Sequence, residues 1–165
     1  MMKISVVIPI KNEHATLSKL VTLIFSSVKA MPRSCDVEVI LVDDGSDDDS
    51  WLLIEKLSEN FGKAIKGIKL RRNFGKAIAL EAGFRAANGD VIFTMDGDLQ
   101  DDPKEIPRFL DKLDQGYDLV SGWKIKRYDP ISKTLPSKLF NKVTSWATGV
   151  DLHDFNCGFK CYKRE

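Results

Sequence analysis

The chain has 165 residues, of which 43% are hydrophobic and 30% charged, and its formal net charge is +1. This length fits a single domain with a real core, and the composition is that of a globular protein rather than a disordered one. The nearly neutral charge gives no bias toward nucleic acid, so we expect no nucleic-acid partner. No run of about 18 apolar residues predicts a membrane span.

The ends of the chain and its cysteines bear on where the protein works. Residues 1–9 have the pattern of a strand rather than that of a signal peptide. Three cysteines without a disulfide-like framework suit a reducing cytosol, so we expect a cytoplasmic protein. His153, Cys157 and Cys161 are spaced by four residues, which could suggest a zinc site. No fourth ligand is evident in the sequence, so a pair of buried thiols is favoured over zinc. The patterned segment 157–165 ends abruptly, from which we expect a C-terminal truncation.

Strand and helix patterns alternate along the chain. Apolar and β-branched runs predict strands over 4–10, 37–42, 65–70, 91–95 and 117–123. Apolar residues at helical spacing predict helices over 17–28, 51–57, 77–87, 103–113 and 135–148. Short connections between alternating elements imply an α/β fold, a Rossmann-like and mainly parallel sheet flanked by helices.

Polar clusters follow the first four predicted strands, at residues 11–13, 43–44, 71–76 and 96–100. Each cluster alone has another explanation: Glu13 as a charge at a helix N-terminus, Asp43 as a helix cap or turn residue, and Asp96-Gly97 as turn chemistry. Turn chemistry does not explain why four strand ends carry such clusters together. Because parallel sheets bind ligands at the carboxyl ends of their strands, the sequence predicts a ligand site at this edge.

Asp96 and Asp98 are the candidate metal ligands. In an extended backbone residues i, i+2 and i+4 share a face, so the two carboxylates would lie side by side, and Gln100 would add a carbonyl oxygen if that geometry persists. Two such carboxylates repel unless a cation lies between them, and Mg²⁺ prefers oxygen ligands. Neither G-x-x-x-x-G-K-[ST] nor a G-x-G-x-x-G after the first strand is present. A metal, with Arg72 or Lys76 as a cationic partner, would hold a diphosphate instead.

Four ordered motifs carry a family resemblance: VVIPIKNE (6–13), VDDGSDD (42–48), RNFGKAIALEAGF (72–84) and MDGDLQDDP (95–103). They resemble the family 2 glycosyltransferases, and within them the dolichol-phosphate mannose synthase-like and undecaprenyl-phosphate sugar transferase branch. The resemblance implies one GT-A domain over 1–165, with a nucleotide-sugar-binding half over 1–100 and an acceptor-side half over 101–165. It also implies an inverting enzyme that uses a nucleotide-diphosphate sugar, UDP in preference to GDP, with Mg²⁺ or Mn²⁺.

The donor-site residues follow from the resemblance by position. Pro9, Lys11 and Glu13 would lie against the base and ribose, and Asp43 would hold the base. Lys76 remains the candidate cation for the diphosphate.

The metal motif also matches by position. Asp96 and Asp98 match the family's Asp-x-Asp motif, and Gln100 matches the glutamine that follows it in this branch. Gly97 stands where Ala is usual, a change expected to matter little.

The branch implies a lipid phosphate acceptor, which is already anionic and needs cationic anchors rather than a base. The resemblance gives Asp98, Arg127 and Asp154 as the candidate catalytic residues. Arg127 lies in the basic cluster 124–127, for which a solvated loop is the alternative. Asp154, in HDFNCGFK (153–160), matches an acid of the acceptor-side motif and is either a base or an organiser. The alternative function is transfer to a sugar or polysaccharide hydroxyl, with Asp154 as the base.

Two further interpretations concern partners. The basic amphipathic helix predicted at 135–148 is open to packing on the core or to lying on a bilayer, and a lipid acceptor would place the full-length protein at the inner face of the membrane. The non-enzyme alternative is a signalling receiver domain, which needs paired acids after the first strand, where this chain has Pro-Ile-Lys-Asn-Glu.

Overall fold

The computed structural model describes residues 1–123 and 157–164. The strands are β1 (Met2–Ile10), β2 (Cys35–Asp43), β3 (Ile65–Lys69), β4 (Val91–Thr94), β5 (Leu119–Ser121) and β6 (Lys160–Lys163). The α-helices are α1 (His14–Lys29), α2 (Ser50–Phe61), α3 (Lys76–Ala86) and α4 (Ile106–Asp114), and a 3₁₀ turn over Pro103–Glu105 precedes α4. One sheet joins all six strands in the order β3-β2-β1-β4-β6-β5.

The sheet is mainly parallel, as the sequence predicts. β1 pairs in parallel with β2 and β4, and β2 pairs in parallel with β3. Side chains from opposite faces of β1 enter two separate cores: Ile8 packs in the cluster that includes α1, α2 and α4, and Val7 packs with Ala79 of α3. Because both faces are covered, residues 6–10 of β1 and 39–42 of β2 are continuous apolar runs rather than alternating ones. The architecture is therefore three layers, helix–sheet–helix.

Small residues allow α3 to lie close to the sheet. Ala79 is fully buried, and a Cβ added at Gly83 would come within 2.2 Å of Val7 Cγ1 and 3.3 Å of Val42 Cγ2. The sequence predicts this close packing from the composition of the helix, and the structure confirms it. This close packing also positions Lys76, because α3 begins with that residue at the carboxyl edge of the sheet.

The sheet differs from the prediction at one side. β6 is not predicted by the sequence, and it inserts between β4 and β5, antiparallel to both. The strand predicted at 117–123 is shorter, because only residues 119–121 pair with β6. Arg127, Asp154 and the helix predicted at 135–148 lie outside the described residues.

Two sequence-based expectations about thiols and membrane spans can be compared with the described ranges. Cys157 and Cys161 are buried thiols in the core, as predicted, and burial raises the pKa of the Cys161 thiol. Within 1–123 and 157–164, no helix combines the length and the apolarity needed to cross a bilayer.

A polar network ties β1 and β2 to the loop that follows α3. Ser5 Oγ and the Asn88 backbone N–H donate to Glu38 Oε1, at 2.5 and 2.6 Å, and Lys3 Nζ lies 3.0 Å from Glu38 Oε2. The Gly89 N–H donates to Ser5 Oγ at 2.8 Å. Burial acts to raise the pKa of the Glu38 carboxyl, but the hydrogen bonds from Ser5, Asn88 and Lys3 outweigh it and hold that pKa below its ordinary value.

Glu38→Gln is expected to lower the free energy of unfolding at neutral pH by about 1–3 kcal/mol, because the substitution removes the charged acceptor of the buried Ser5 hydroxyl and of two more exposed donors. The carboxyl has the lower pKa in the folded state, so its contribution is present above the unfolded pKa and is lost as pH falls through the folded pKa. Urea unfolding at about pH 7 and about pH 3 should show the difference from wild type shrinking at the lower pH. The exposed control Glu59→Gln should change little. A pH-independent difference for Glu38→Gln would contradict this account.

Candidate functional site

The loops after β1, β2, β3 and β4 surround a cleft of about 320 Å³, which is within the range of small-ligand sites. Four carboxylates and two ammonium groups belong to its lining. The lining residues are Pro9, Ile10, Lys11, Glu13, Asp44, Asn73, Gly75, Lys76, Asp96, Gly97 and Asp98. Seven of these are residues that the sequence selects: Pro9, Lys11, Glu13, Lys76, Asp96, Gly97 and Asp98. The structure therefore brings residues from separate motifs to one place.

Hydrogen bonds join the loops after β1 and β2. The Asn12 backbone N–H donates to Ser46 Oγ at 3.0 Å, and Asn12 Oδ1 accepts from the Asp47 N–H at 2.8 Å. Lys11 Nζ donates to the Gly45 carbonyl and lies 2.8 Å from Asp47 Oδ2. The Asn12 φ of 59° is in the left-handed region, where Asn is enriched among residues other than glycine. These contacts place Lys11 in the cleft wall and pair its ammonium with the neighbouring loop.

The two aspartates after β2 have different positions. Asp43 is fully buried and is not part of the cleft lining. Its Oδ1 accepts from the Ser46 N–H at 3.1 Å, while Oδ2 is buried without a hydrogen-bond partner among residues 1–123 and 157–164. Asp44 is only 4% exposed, and its two oxygens accept from the N–H groups of Phe74 and Gly75, at 2.7 and 2.9 Å. Asp44 therefore holds the loop after β3, a role that sequence reasoning missed because its partners lie about 30 residues away.

Gly45 lets the loops after β2 and β3 meet backbone to backbone. Its φ is +69°, and a Cβ there would lie 2.5 Å from both the carbonyl carbon of Arg72 and the nitrogen of Asn73. A side chain at this position would therefore push the two loops apart and strain the backbone.

The loops after β1 and β4 meet at Gly97. Thr16 Oγ1 donates to the Gly97 carbonyl at 2.7 Å, and a Cβ at Gly97 would lie 3.1 Å from Glu13 Cγ. Burial raises the pKa of the Glu13 carboxyl; the Thr16 hydroxyl acts in the opposite direction, and the charges of Asp98, Asp48 and Asp96 raise it further. Glu13 is thus part of an acidic group that includes both candidate metal ligands.

The expectation of an extended backbone through this motif is wrong. β4 ends before Asp96, the chain turns at residues 97–98, and Leu99 has a φ of +63°. Asp98 Oδ1 accepts from the Gln100 N–H at 3.0 Å, the side-chain-to-backbone bond by which Asp favours turns. Asp96 and Asp98 still line the same cleft, whereas Gln100 is exposed and is not part of its lining.

Asp96 is held from several sides. Its backbone N–H donates to Asp101 Oδ2 at 3.1 Å, and its carboxylate forms an ion pair with Lys76. A Cβ at Gly158 would lie 2.5–2.6 Å from the Asp96 oxygens, and the Gly158 carbonyl accepts from Thr94 Oγ1 at 2.7 Å. The segment before β6 therefore supplies a side-chain-free surface for the Asp96 carboxylate. Because the sequence does not predict β6, it does not predict this neighbour.

The donor set of the cleft fits a hard divalent cation. Asp96 and Asp98 would hold it, since Mg²⁺ and Mn²⁺ prefer carboxylate oxygens together with water and phosphate oxygens. Among residues 1–123 and 157–164, no group of three or more His, Cys, Asp or Glu side chains converges as a ready metal site. A bound ion would therefore complete its coordination with water or with ligand oxygens.

Asp44→Ala is expected to release the loop after β3, because the Phe74 and Gly75 N–H groups lose their acceptors. Hydrogen exchange followed by NMR should show these two amides exchanging at least about tenfold faster, with the β1 amides unchanged. Asp44→Asn keeps the side-chain volume and should have an intermediate effect. Asp47→Ala is the control, since that carboxylate is in the same loop and 83% exposed. Unchanged exchange at Phe74 and Gly75 in Asp44→Ala would refute the assigned role.

Solved structures share this fold at low sequence identity. Glucosyl-3-phosphoglycerate synthase from Mycobacterium tuberculosis, in complex with uridine diphosphate, has a TM-score of 0.70 at 23% identity, over 98% of this chain and 57% of its own. A mannosyltransferase from Pyrobaculum calidifontis, in complex with GDP-Man and Mn²⁺, has a TM-score of 0.68 at 21% identity, over 98% and 44%. These likenesses concern the fold alone, and they confirm the GT-A architecture that the motifs imply.

Curated relatives are closer in sequence. An undecaprenyl-phosphate 4-deoxy-4-formamido-L-arabinose transferase from Pseudomonas aeruginosa (strain LESB58) is 39% identical over 161 residues, 98% of this chain and 47% of the relative. Its counterpart from Aeromonas hydrophila is 41% identical, over 98% and 49%. The chain thus spans about half the length of the curated relatives it matches. The family model of glycosyl transferase family 2 matches residues 5–165. The chain therefore belongs to glycosyl transferase family 2.

Proposed function

We propose that this chain is the catalytic part of an inverting, metal-dependent transferase that moves a sugar from a nucleotide-diphosphate donor to a polyprenyl phosphate. The observation that carries the proposal is the cleft itself, in which Asp96 and Asp98 lie beside Glu13 at the carboxyl ends of parallel strands. Relatives at about 40% identity are named as transferases acting on undecaprenyl phosphate, which supports this acceptor class.

The donor would occupy the half formed by residues 1–100. Pro9, Lys11 and Glu13 would bind the ribose and flank the base. Asp43 would hold the base after a rearrangement that opens the cleft to its Oδ2, which is buried and has no donor among the described residues. An unpaired buried acceptor costs free energy that a ligand donor removes. We propose UDP in preference to GDP as the nucleotide.

Charge explains why a divalent cation would accompany the donor. Among the residues that the structure describes, the cleft lining has four carboxylates and two ammonium groups, so these groups by themselves would repel a diphosphate that entered without a cation. A bound Mg²⁺ or Mn²⁺ would supply the Lewis acidity that neutralises the diphosphate as it departs. Asp96 and Asp98 would position that ion, and Lys76 would donate to the phosphate oxygens.

The acceptor would be bound by the half formed by residues 101–165. One phosphate oxygen of the lipid would attack the anomeric carbon as the bond from that carbon to the diphosphate oxygen breaks, which inverts the configuration. Arg127, outside the described residues, would anchor the acceptor phosphate by charge-assisted hydrogen bonds. Asp154, also outside them, would orient this site. The reaction would take place at the inner face of the membrane, where the lipid is embedded.

The donor site is tested by thermal shift with UDP-, GDP- and CDP-sugars, with and without Mn²⁺, because a ligand that binds the folded state raises its stability. A metal-dependent shift with a UDP-sugar is expected, and Asp96→Asn and Asp98→Asn should each abolish it. Asp111→Asn, an exposed carboxylate on α4, is the matched control and should retain it. A folded wild-type chain that none of these donors stabilises would exclude the proposed donor site.

Asp154→Asn separates the two acceptor classes. A hydroxyl acceptor needs a base, so the variant should lose about 10²–10⁴-fold in kcat if the acceptor is a sugar or polysaccharide hydroxyl. With a polyprenyl phosphate acceptor we expect a loss of about tenfold or less, because no proton must be removed. The measurement is transfer of labelled sugar to undecaprenyl phosphate and to a glycan acceptor. Donor binding without transfer to either acceptor would show that this chain binds the nucleotide sugar but needs the rest of a longer protein for turnover.

A further inference from the structure

Lys76 crosses the cleft from one loop to another. It is the first residue of α3, after the third strand, and its ammonium is ion-paired with Asp96 Oδ1, after the fourth strand. Two strands, β2 and β1, separate β3 from β4 in the sheet. Asp44 fixes the backbone just before Lys76, because its carboxylate accepts hydrogen bonds from the N–H groups of Phe74 and Gly75.

The two partners of this ion pair differ in their freedom to move. The Lys76 side chain is 50% exposed, and its ammonium is carried on a flexible four-carbon stem. The ammonium can therefore leave Asp96 for another acceptor. The Asp96 carboxylate is 26% exposed and packs against the backbone of Gly158. If the pair separates, Lys76 moves and Asp96 stays in place.

The other lysine of the cleft has different partners. Lys11 is paired with Asp47 and with the Gly45 carbonyl, both on the neighbouring loop. The two ammonium groups carry the same charge and line the same cleft, but the ion pair of Lys76 uses a carboxylate that the proposed function assigns to a divalent cation.

We propose that Lys76 is an exchangeable counter-ion of Asp96. It neutralises this carboxylate while the cleft is empty, and it transfers to the diphosphate of the donor when a divalent cation takes its place on Asp96. The inference rests on the proposed function and adds to it a coupling between the two ligands. Without diphosphate, the cation must displace the ammonium into solvent; with diphosphate, the ammonium gains an anionic partner.

The coupling is reciprocal, so the diphosphate raises the affinity for the metal by the same factor as the metal raises the affinity for the diphosphate. Removing the ammonium should therefore strengthen metal binding to the empty chain and reduce the enhancement by nucleotide. Part of the enhancement will persist, because phosphate oxygens are themselves ligands for the metal.

The test is a titration with Mn²⁺, in which free Mn²⁺ is followed by electron paramagnetic resonance with and without UDP. In Lys76→Met we expect nucleotide-free Mn²⁺ affinity to rise about tenfold and the enhancement by UDP to fall by a similar factor. Lys76→Arg keeps the charge and should bind Mn²⁺ as weakly as wild type. Lys11→Met removes the same charge without freeing Asp96 and should change nucleotide-free affinity less than about threefold. Circular dichroism confirms that each variant is folded.

The outcomes separate this inference from the proposed function. The counter-ion role would be overturned if wild type binds Mn²⁺ and UDP but Lys76→Met binds Mn²⁺ without nucleotide no more tightly than wild type does. That result would leave the proposed donor site intact. Equal increases in nucleotide-free Mn²⁺ affinity in Lys76→Met and Lys11→Met would show that only the net charge of the cleft matters. That result would also overturn the counter-ion role. A folded wild type that binds neither Mn²⁺ nor UDP would refute both.

Discussion

The hydrogen bonds from the Phe74 and Gly75 amides to the buried Asp44 carboxylate are the constraint on which the cleft depends. They join the loops after β2 and β3, and Gly45 allows those loops to approach backbone to backbone. Because α3 starts immediately afterwards, the same bonds determine where Lys76 stands relative to Asp96. The buried Asp44 side chain thus fixes the start of α3, and with it Lys76, relative to the end of β2.

Carboxylates toward the amino ends and the carboxyl ends of the parallel strands have opposite environments. Glu38 receives donors from Ser5, Asn88 and Lys3, and its pKa is lowered, so its charge stabilises the fold. At the other edge the pKa of Glu13 is raised by burial and by neighbouring acids. An edge with paired carboxylates supports the structure, whereas an edge with excess carboxylate charge suits a cationic ligand.

The strand order explains how four motifs become one site. With β1 and β2 in the middle of β3-β2-β1-β4, the loops that follow these strands are neighbours at the same edge of a parallel sheet. α3 lies on one face and begins at that edge, while α1 lies on the other face and begins just after Glu13. The antiparallel β6 then places Gly158 beside Asp96, so a segment from the end of the chain completes a site formed by its first hundred residues.

Local sequence patterns predicted β1 to β4, the helices α1 to α4 of the described residues, and the edge of the sheet at which the polar residues gather. These features are recorded locally, in apolar periodicity and in the polar residues that end each strand, and they predicted that Lys11, Glu13, Asp96 and Asp98 would share one cleft. The folded structure was needed to establish the insertion of β6, the hydrogen bonds that Asp44 accepts from the loop after β3, the ion pair of Lys76 with Asp96, and the turn in place of an extended backbone at Asp98. The first three join residues between 20 and about 70 positions apart. The turn at Asp98 was one of two local alternatives, an acidic turn or a continued strand, that the motif itself left open. The first three features depend on which surfaces meet after the chain has folded, and no local pattern specifies them.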